Sequence, residues 1–466
     1  MKKIKVILLT FITAIGLCGC YDADEPNDIV YTVALGIDKS ENEGEYEITI
    51  QFARPTQISG GASEEGGKGG SETFSLVTVN APTIYSAMNL ANHIVSKRFT
   101  LSHTKLIVFS EEVAMEGVID MADTIARSSD IRPNIYLAVA KGSAKQYLDG
   151  ISPVVEINPE KYYQLIFENE YSGYIPKNLS QDFYFYMNSQ EQSSVLPIAA
   201  VKEDKKESQQ GEGEKKEGGS SGESGGNEEK NSSGESEQQE GNQKESSQEQ
   251  ENENRKIPIN KQGFEYNVKN YIAGNMDVNK ENNGEVMGLA VFKKDKMIAE
   301  LNSVESQLYS IAKGEFNYSY TNYYSKASPE YPTTLRLEQE RHPTYDIDII
   351  GDHPKITLKI SLEGDFLSIS PFNYLENEMT EYEKELTEYT EQALIKFLKK
   401  TSKELGTDIV GFGGYAKKYF RTHKDFEDYK WMVKYTDAEF DVEVSFKLRG
   451  TGLIIRNDEI KEKGQT

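Results

Sequence analysis

Residues 202–256 contain no aromatic and no aliphatic side chain. Between Glu203 and Asn254 stand 16 acidic and 6 basic residues, a net of −10. Such a stretch buries too little apolar surface to offset the entropy of ordering its backbone, so it is predicted to be disordered. Any fold must therefore be built from the residues on either side. Val195–Val201 (VLPIAAV) before it and Val286–Phe292 (VMGLAVF) after it both read as strands of one small domain. The acidic segment is then a long insertion in a loop rather than a linker. That costs little, because closure entropy grows only slowly with loop length.

The N-terminus carries a second strong signal. Lys2, Lys3 and Lys5 precede an apolar run from Val6 to Leu17, which is 12 residues long. This is the build of a secretory signal peptide, and it falls short of the roughly 20 residues that a membrane-spanning helix needs. It ends in Leu17-Cys18-Gly19-Cys20, which holds the only 2 cysteines of the chain. A small residue directly before a cysteine resembles the lipobox of bacterial lipoproteins. There the thiol receives a diacylglyceryl group and the cysteine becomes the first mature residue. Cys20 is the expected lipidation site, and residues 1–19 the expected signal peptide. A lipidated Cys20 leaves no thiol for a disulfide, redox chemistry or a cysteine metal site.

Charge bears on how such a chain meets a membrane. Without residues 1–19 it carries 49 basic and 76 acidic residues, or −27. Nucleic acid and anionic lipid both repel a surface of that sign, so no nucleic-acid partner is expected and the lipid must supply the attachment. Stable attachment takes two acyl chains. No later hydrophobic stretch approaches membrane-spanning length.

The rest of the chain reads as mixed strands and helices. Residues 20–28 form a polar tether. Tyr46, Ile48, Ile50 and Phe52 alternate with Glu47, Thr49 and Gln51, which marks a half-buried strand predicted to form a hairpin with Ile29–Ile37. Residues 58–71 read as a Gly/Ser/Glu-rich loop, and 73–79 as a strand. Ile84, Ala87, Met88, Ala91, Ile94 and Val95 mark the buried face of a helix. Lys105–Phe109 and Asn134–Ala140 read as strands, with one helix over 111–126 between them. Asn158 caps a helix that begins at Pro159. Asn302 and Glu305 open a helix over 302–313, closed by Gly314. Asp346–Ile350, Ile356–Leu362 and Phe440–Leu448 alternate as strands. Residues 377–405 make the longest helix, with Gly406 as its stop. The predicted fold class is α+β, with three mixed α/β-sheet domains in a lipid-anchored, extracytoplasmic chain. Their bounds are 29–182, a small β-rich 183–301 containing the disordered insertion, and 302–460.

No pattern in the sequence assembles a catalytic site. His93, His103, His342, His353 and His423 lack metal-site spacing, and HExxH and G-x-S-x-G are both absent. No metal or cofactor is expected. His103, just before a buried strand, reads as a side chain satisfying backbone groups rather than as a general base. Gly411-Phe412-Gly413-Gly414 lacks the phosphate-loop pattern and reads as a turn needing positive φ or close backbone approach. Arg127, Asp130 and Arg132 read as a structural ion pair at an element junction. Asp22-Ala23-Asp24-Glu25 and Asp346-Ile347-Asp348 read as solvated faces rather than calcium loops. The aromatics of Phe183–Tyr186 and Phe316–Tyr324 read as strand and core residues.

Several segments together resemble the Ger(x)C family of spore-germination lipoproteins. They are Cys20, Val33–Asp38 (VALGID), His103–Ala114 (HTKLIVFSEEVA), Gly117, the stretch Arg127–Arg132, Gly288–Lys293 (GLAVFK) with Asp295-Lys296, Asp408–Gly413 (DIVGFG), Trp431 and the strand running to Gly450. The resemblance covers most of the chain after Cys20. It implies a three-domain, non-enzymatic lipoprotein on the outer face of the spore's inner membrane. Such a protein acts beside integral membrane A and B subunits in sensing amino acids, sugars or nucleosides. The insertion at 202–256 departs from the family pattern, since many relatives join the flanking strands more directly. An alternative reading is a solute-binding lipoprotein of a membrane transporter. That reading requires two similar lobes, where the sequence offers three unequal segments. A hydrolase has no nameable nucleophile and base.

Overall fold

A computed structural model describes residues 3–4, 28–53, 74–151, 156, 158–168, 173–176, 179–201, 271–276, 284–324, 333–350, 353–368 and 379–450. Cys20, the tether before Asp28, the loop 58–71 and the acidic segment 202–256 lie outside the described residues.

The N-terminal hairpin forms as predicted, but its second strand is not half-buried: Thr49 and Gln51 are as fully buried as Ile48 and Ile50, because helices cover both faces of the sheet. Strand β1 (Ile29–Lys39) pairs antiparallel with β2 (Tyr46–Ala53), Ile37 opposite Ile48, and β3 (Phe74–Ala81) extends β2. Helix α1 (Ile84–Asn92) is capped by Thr83 and buries Ile84, Ala87, Met88 and Ala91. It stops short of the predicted face, and Ile94 beyond it is 67% exposed. Strands β4 (Arg98–Thr100) and β5 (Leu106–Ser110) run parallel to β1. The single helix expected over 111–126 is two, α2 (Glu111–Glu116) and α3 (Ile119–Arg127). The break sits at Gly117, whose φ of +130° is open to glycine but strained for other residues. A Cβ there would stand 2.5 Å from the Asp295 carboxylate, and the Val118 N–H donates to the Asp295 carbonyl at 3.0 Å.

Strand β6 (Tyr136–Ala140) lies parallel to β5. Three helices follow: α4 (Ala144–Gly150), α5 (Pro159–Phe167) and α6 (Ser180–Met187). Strands β7 (Val195–Val201), β8 (Gly284–Lys293) and β9 (Lys296–Leu301) come from the middle unit of the sequence reading. They continue the N-terminal sheet through the parallel pairing of Val139 with Ile198. The full order is β3-β2-β1-β5-β6-β7-β8-β9, with β4 beside β1.

Both faces of this sheet are covered, so its central strands are buried at nearly every position. Leu35, Ile37, Ile107, Phe109, Leu137 and Val139 face a core shared with α1, α2, α3 and α6. Val33, Leu106, Val108, Ala138 and Ala140 face a second core closed by α4 and α5. Past β6 the second face is divided: Ala199 and Val286 stay in the second core. Val195, Leu289, Val291 and Leu301 enter the core of the C-terminal region.

That region begins with α7 (Ser303–Lys313), which has the predicted capping box between Asn302 and Glu305 and the predicted stop at Gly314. Strands β10 (Tyr318–Tyr323), β11 (Thr333–Ile350) and β12 (His353–Ser368) form an antiparallel meander. Helix α8 (Met379–Lys399) runs into a π-turn over Lys400–Glu404 and stops at Gly406. Short helices α9 (Phe412–Ala416), α10 (His423–Tyr429) and α11 (Trp431–Tyr435) lead to β13 (Glu439–Gly450), which lies parallel to β12. Burial alternates along β13, with Val442, Val444, Phe446 and Leu448 facing inward. Among the described residues only one face of this four-stranded sheet is packed, mainly against α7 and α8. Among the described residues no helix is long and apolar enough to cross a membrane.

Candidate functional site

The two sheets meet at a buried polar junction built around Asp408. Its carboxylate accepts from the Gly411 N–H at 2.8 Å, the Gly413 N–H at 2.9 Å and the Trp431 indole N–H at 2.9 Å. Its backbone carbonyl accepts from the Ser193 N–H at 2.8 Å. Ser193 thus ties the residues leading into β7 to those leading into α9. The tie is reinforced on both sides. The Gln192 amide donates to the Ile409 carbonyl at 3.3 Å, and Ser193 Oγ bonds Thr407 Oγ1. Lys417 pairs with Glu191 at 2.6 Å.

The glycine-rich bend therefore serves an internal anion. Its N–H groups point at Asp408, where a phosphate loop would point them at a ligand. Gly411 has a φ of +95°, and a Cβ on Gly413 would run into the Glu191 carbonyl and lie 2.7 Å from the Trp431 ring. Both requirements read from the sequence are met two residues apart, positive φ at Gly411 and close approach at Gly413. Burial pushes the Asp408 carboxyl up to about 6, against the opposing pull of its hydrogen bonds to Gly413, Gly411 and Trp431.

A cleft of about 960 Å³ opens beside this junction. One wall is formed by α3, α6 and residues 188–191, the other by Lys417 and α10. Helix α6 is held in place from below. The Ser180 N–H donates to the Ile135 carbonyl at 2.9 Å, its hydroxyl donates to the Pro133 carbonyl at 2.8 Å, and Phe183 is fully buried. This leaves Tyr184 and Phe185 beside the cleft, with Phe185 60% exposed. At the rim Lys417 pairs with Glu191, and His423 Nδ1 lies 3.3 Å from the Glu427 carboxylate with both side chains exposed.

The residues singled out from the sequence are not gathered in one place. Cys20 lies outside the described residues. His103 sits edge-on to Tyr31 and pairs with Glu160 at 2.6 Å, so a carboxylate takes the place expected of backbone groups. Arg127 forms a structural ion pair as expected, but with Asp123 one turn earlier, at 2.7 Å, rather than with Asp130. Of the aromatic runs, Phe183–Tyr186 is helical and borders the cleft, whereas Phe316 and Tyr323 are core. Among the described residues no group of three or more His, Cys, Asp or Glu side chains is placed to hold a metal ion. Gln192, Ser193 and Ser194 were not singled out. Polar residues flanking an apolar strand read as loop, and only the fold shows them buried.

Two family models match the chain in order. One, described as "Spore germination protein N-terminal domain", covers residues 22–201, and the other, "Spore germination B3/ GerAC like, C-terminal", covers residues 287–452. The chain belongs to the Ger(x)C family of spore germination proteins. Spore germination protein KC of Bacillus subtilis (strain 168) is 27% identical over 210 residues, which is 44% of this chain and 51% of that protein. Spore germination protein B3 of the same strain is 27% identical over 211 residues, 44% of this chain and 53% of that protein. The putative spore germination protein YfkR, also from that strain, is 29% identical over 148 residues, 32% of this chain and 38% of that protein. The chain thus spans about half or less of the length of the curated relatives it matches. A crystal structure of the GerBC protein aligns with 90% of this chain and 98% of its own, at 13% identity and a TM-score of 0.45.

The segments that carry the Ger(x)C resemblance have structural tasks in this fold. Asp38, closing Val33–Asp38, accepts from the N–H groups of Ala144 and Lys145 at 2.8 and 2.9 Å and so caps α4. Gly117 meets Asp295 across the N-terminal and middle segments. Asp408, Gly411, Gly413 and Trp431 form the junction. The two family matches leave residues 202–286 between them, and the acidic segment falls in that gap.

Proposed function

We propose that this Ger(x)C protein is a non-enzymatic, lipid-anchored subunit of a nutrient germinant receptor. The observation that carries the reading is the ordered match of both spore-germination family models across the chain. Cys20, after a signal peptide, is the lipidation site. It holds the chain on the outer face of the spore's inner membrane, beside the integral membrane A and B subunits. The geometry favours a binding and coupling role. The buried Asp408 carboxylate is committed to three donors within the protein, and beside it Lys417 pairs with Glu191 at the rim of the cleft.

Deleting the gene tests this. Spores lacking the chain are expected to lose or slow their response to one nutrient class while vegetative growth is unchanged. Normal germination with every nutrient tried would contradict it. Residues 203–254 are proposed to be a disordered, dispensable excursion, so their deletion is expected to leave folding and assembly intact.

A further inference from the structure

Among the described residues β13 is an edge of the C-terminal sheet: β12 pairs along one side of it and the strand order ends there. An open edge invites pairing with another chain. Along β13 the side chains of Val442, Val444, Phe446 and Leu448 face the core. Alternate residues of a strand also point their backbone groups to the same side, so these four N–H groups share one side of β13. That side is the edge, because two of the four are bonded away from β12. The Val444 N–H donates to Glu391 Oε1 at 3.0 Å, and the Leu448 N–H donates to Glu383 Oε1 at 2.9 Å.

The helix and the strand are matched in spacing. Helix α8 rises ~12 Å from Glu383 to Glu391. Strand β13 advances ~13 Å from Val444 to Leu448. Both glutamates are half-buried beside the stripe of Leu386, Thr390 and Leu394 that docks α8 on the sheet. Each carboxylate therefore takes a donor that an incoming strand would need, and each lays a charge along the edge.

The solvated face of β13 selects the strand that fits. Asp441 and Glu443 precede Ser445, Lys447 and Arg449 follow it, and all five are exposed. Laid antiparallel to itself about Ser445, the strand sets Glu443 opposite Lys447 and Asp441 opposite Arg449. On the inner face Val442 meets Leu448 and Val444 meets Phe446. Val444 and Phe446 form a hydrogen-bonded pair in this register, so the opposite charges fall at the non-hydrogen-bonded positions, where side chains stand closest. A parallel copy in register would set like charges side by side. Within the chain Glu443 already pairs with Lys359 at 2.7 Å and Arg449 with Glu363. A second β13 continues that alternation of sign across the two-fold.

We infer that β13 carries a self-complementary pairing edge for a second copy of this chain, and that Glu383 and Glu391 hold that edge closed. The pairing is isologous, with one two-fold at Ser445, and it is independent of the receptor reading above. Analytical ultracentrifugation of the full chain in detergent tests it. The wild type is expected to be monomeric, and Glu383→Ala/Glu391→Ala to associate at least tenfold more tightly. Alanine is a strong helix former, so α8 is expected to persist, which a thermal melt checks. Adding Ser445→Cys to that variant is expected to give a disulfide-linked dimer on mild oxidation, absent without the new cysteine. Adding Lys447→Glu/Arg449→Glu instead is expected to restore the monomer. Mixing that chain with one carrying Asp441→Lys/Glu443→Lys in the same background is expected to restore the dimer. Glu391→Ala alone, which frees only the Val444 N–H, is expected to give an intermediate affinity, so the test stands even where the double variant fails to fold. A folded alanine variant that stays monomeric, a dimer that Ser445→Cys does not link, or one indifferent to the charge reversal would overturn the inference. So would a wild-type chain that associates as tightly as the variant, since its edge would not be closed.

Discussion

The two sheets solve the same packing problem in different ways. The N-terminal sheet is sandwiched between helices, so Leu106–Ser110 and Tyr136–Ala140 are buried throughout. Among the described residues the C-terminal sheet is covered on one face only. Its other face is laced with charge, such as the pair Lys359–Glu443 at 2.7 Å. Each region also holds a buried aspartate. Asp38 caps a helix within its own sheet layer, whereas Asp408 holds together segments more than 200 residues apart in sequence. The comparison shows where this molecule concentrates its polar interactions: at the seam between two differently built sheets.

Substitutions at the seam are expected to do the most damage. Gly413→Val drives a side chain into the Glu191 carbonyl and the Trp431 ring. Overpacking of this kind costs about 3 kcal/mol, so the urea midpoint should fall markedly. An unchanged midpoint would mean that the seam is loosely packed. Asp408→Asn comes next. It sets an NH₂ against N–H donors, which costs about 2 kcal/mol at neutral pH. The pH dependence has a definite sign. Folding raises the Asp408 carboxyl from 3.8 to about 6. Its titration therefore adds stability that is complete below pH 4 and lost as pH rises through 6, up to about 3 kcal/mol. The gap between wild type and Asp408→Asn should narrow between pH 4 and 7. A gap of constant size would remove Asp408 from this account.

Smaller effects are expected within a single sheet layer. Asp38→Ala removes one helix cap and should cost about 1 kcal/mol, read as a shift in melting temperature. Lys359→Ala, on the solvated face, should leave the melting temperature unmoved, because exposed ion pairs contribute little. If the order of Asp408 and Asp38 were reversed, the contrast between seam and layer would not hold.

What could be read from the sequence follows the same division. Alternation exposed β12 and β13 because one face of each is packed and the other solvated, whereas β2 alternates although the fold buries its polar face too, where Gln51 bonds the Leu148 carbonyl and the Tyr163 hydroxyl. The capping box at Asn302 and the stops at Gly314 and Gly406 are local signals, and each lies where it was expected. Helix α6 was hidden, because Phe183–Tyr186 has the composition of a strand and Leu179 offers no capping side chain. Docking of Phe183 and Ser180 onto β6 imposes the helix. The break at Gly117 depends on Asp295, far away in sequence. The pairing of β7 with β6 is equally non-local, so the middle strands read as their own unit. Asp408 stood in the family motif, but its role needed Ser193 and Trp431 beside it.

The central claim is that this Ger(x)C chain works as a lipid-tethered germination subunit. Membrane fractionation of spores carrying Cys20→Ala tests it most directly. The account predicts that the chain leaves the membrane fraction and that nutrient-triggered germination slows, because a protein of this net charge is repelled by an anionic surface and the lipid supplies the attachment. A Cys20→Ala chain still firmly membrane-bound, in spores that germinate normally, would contradict it.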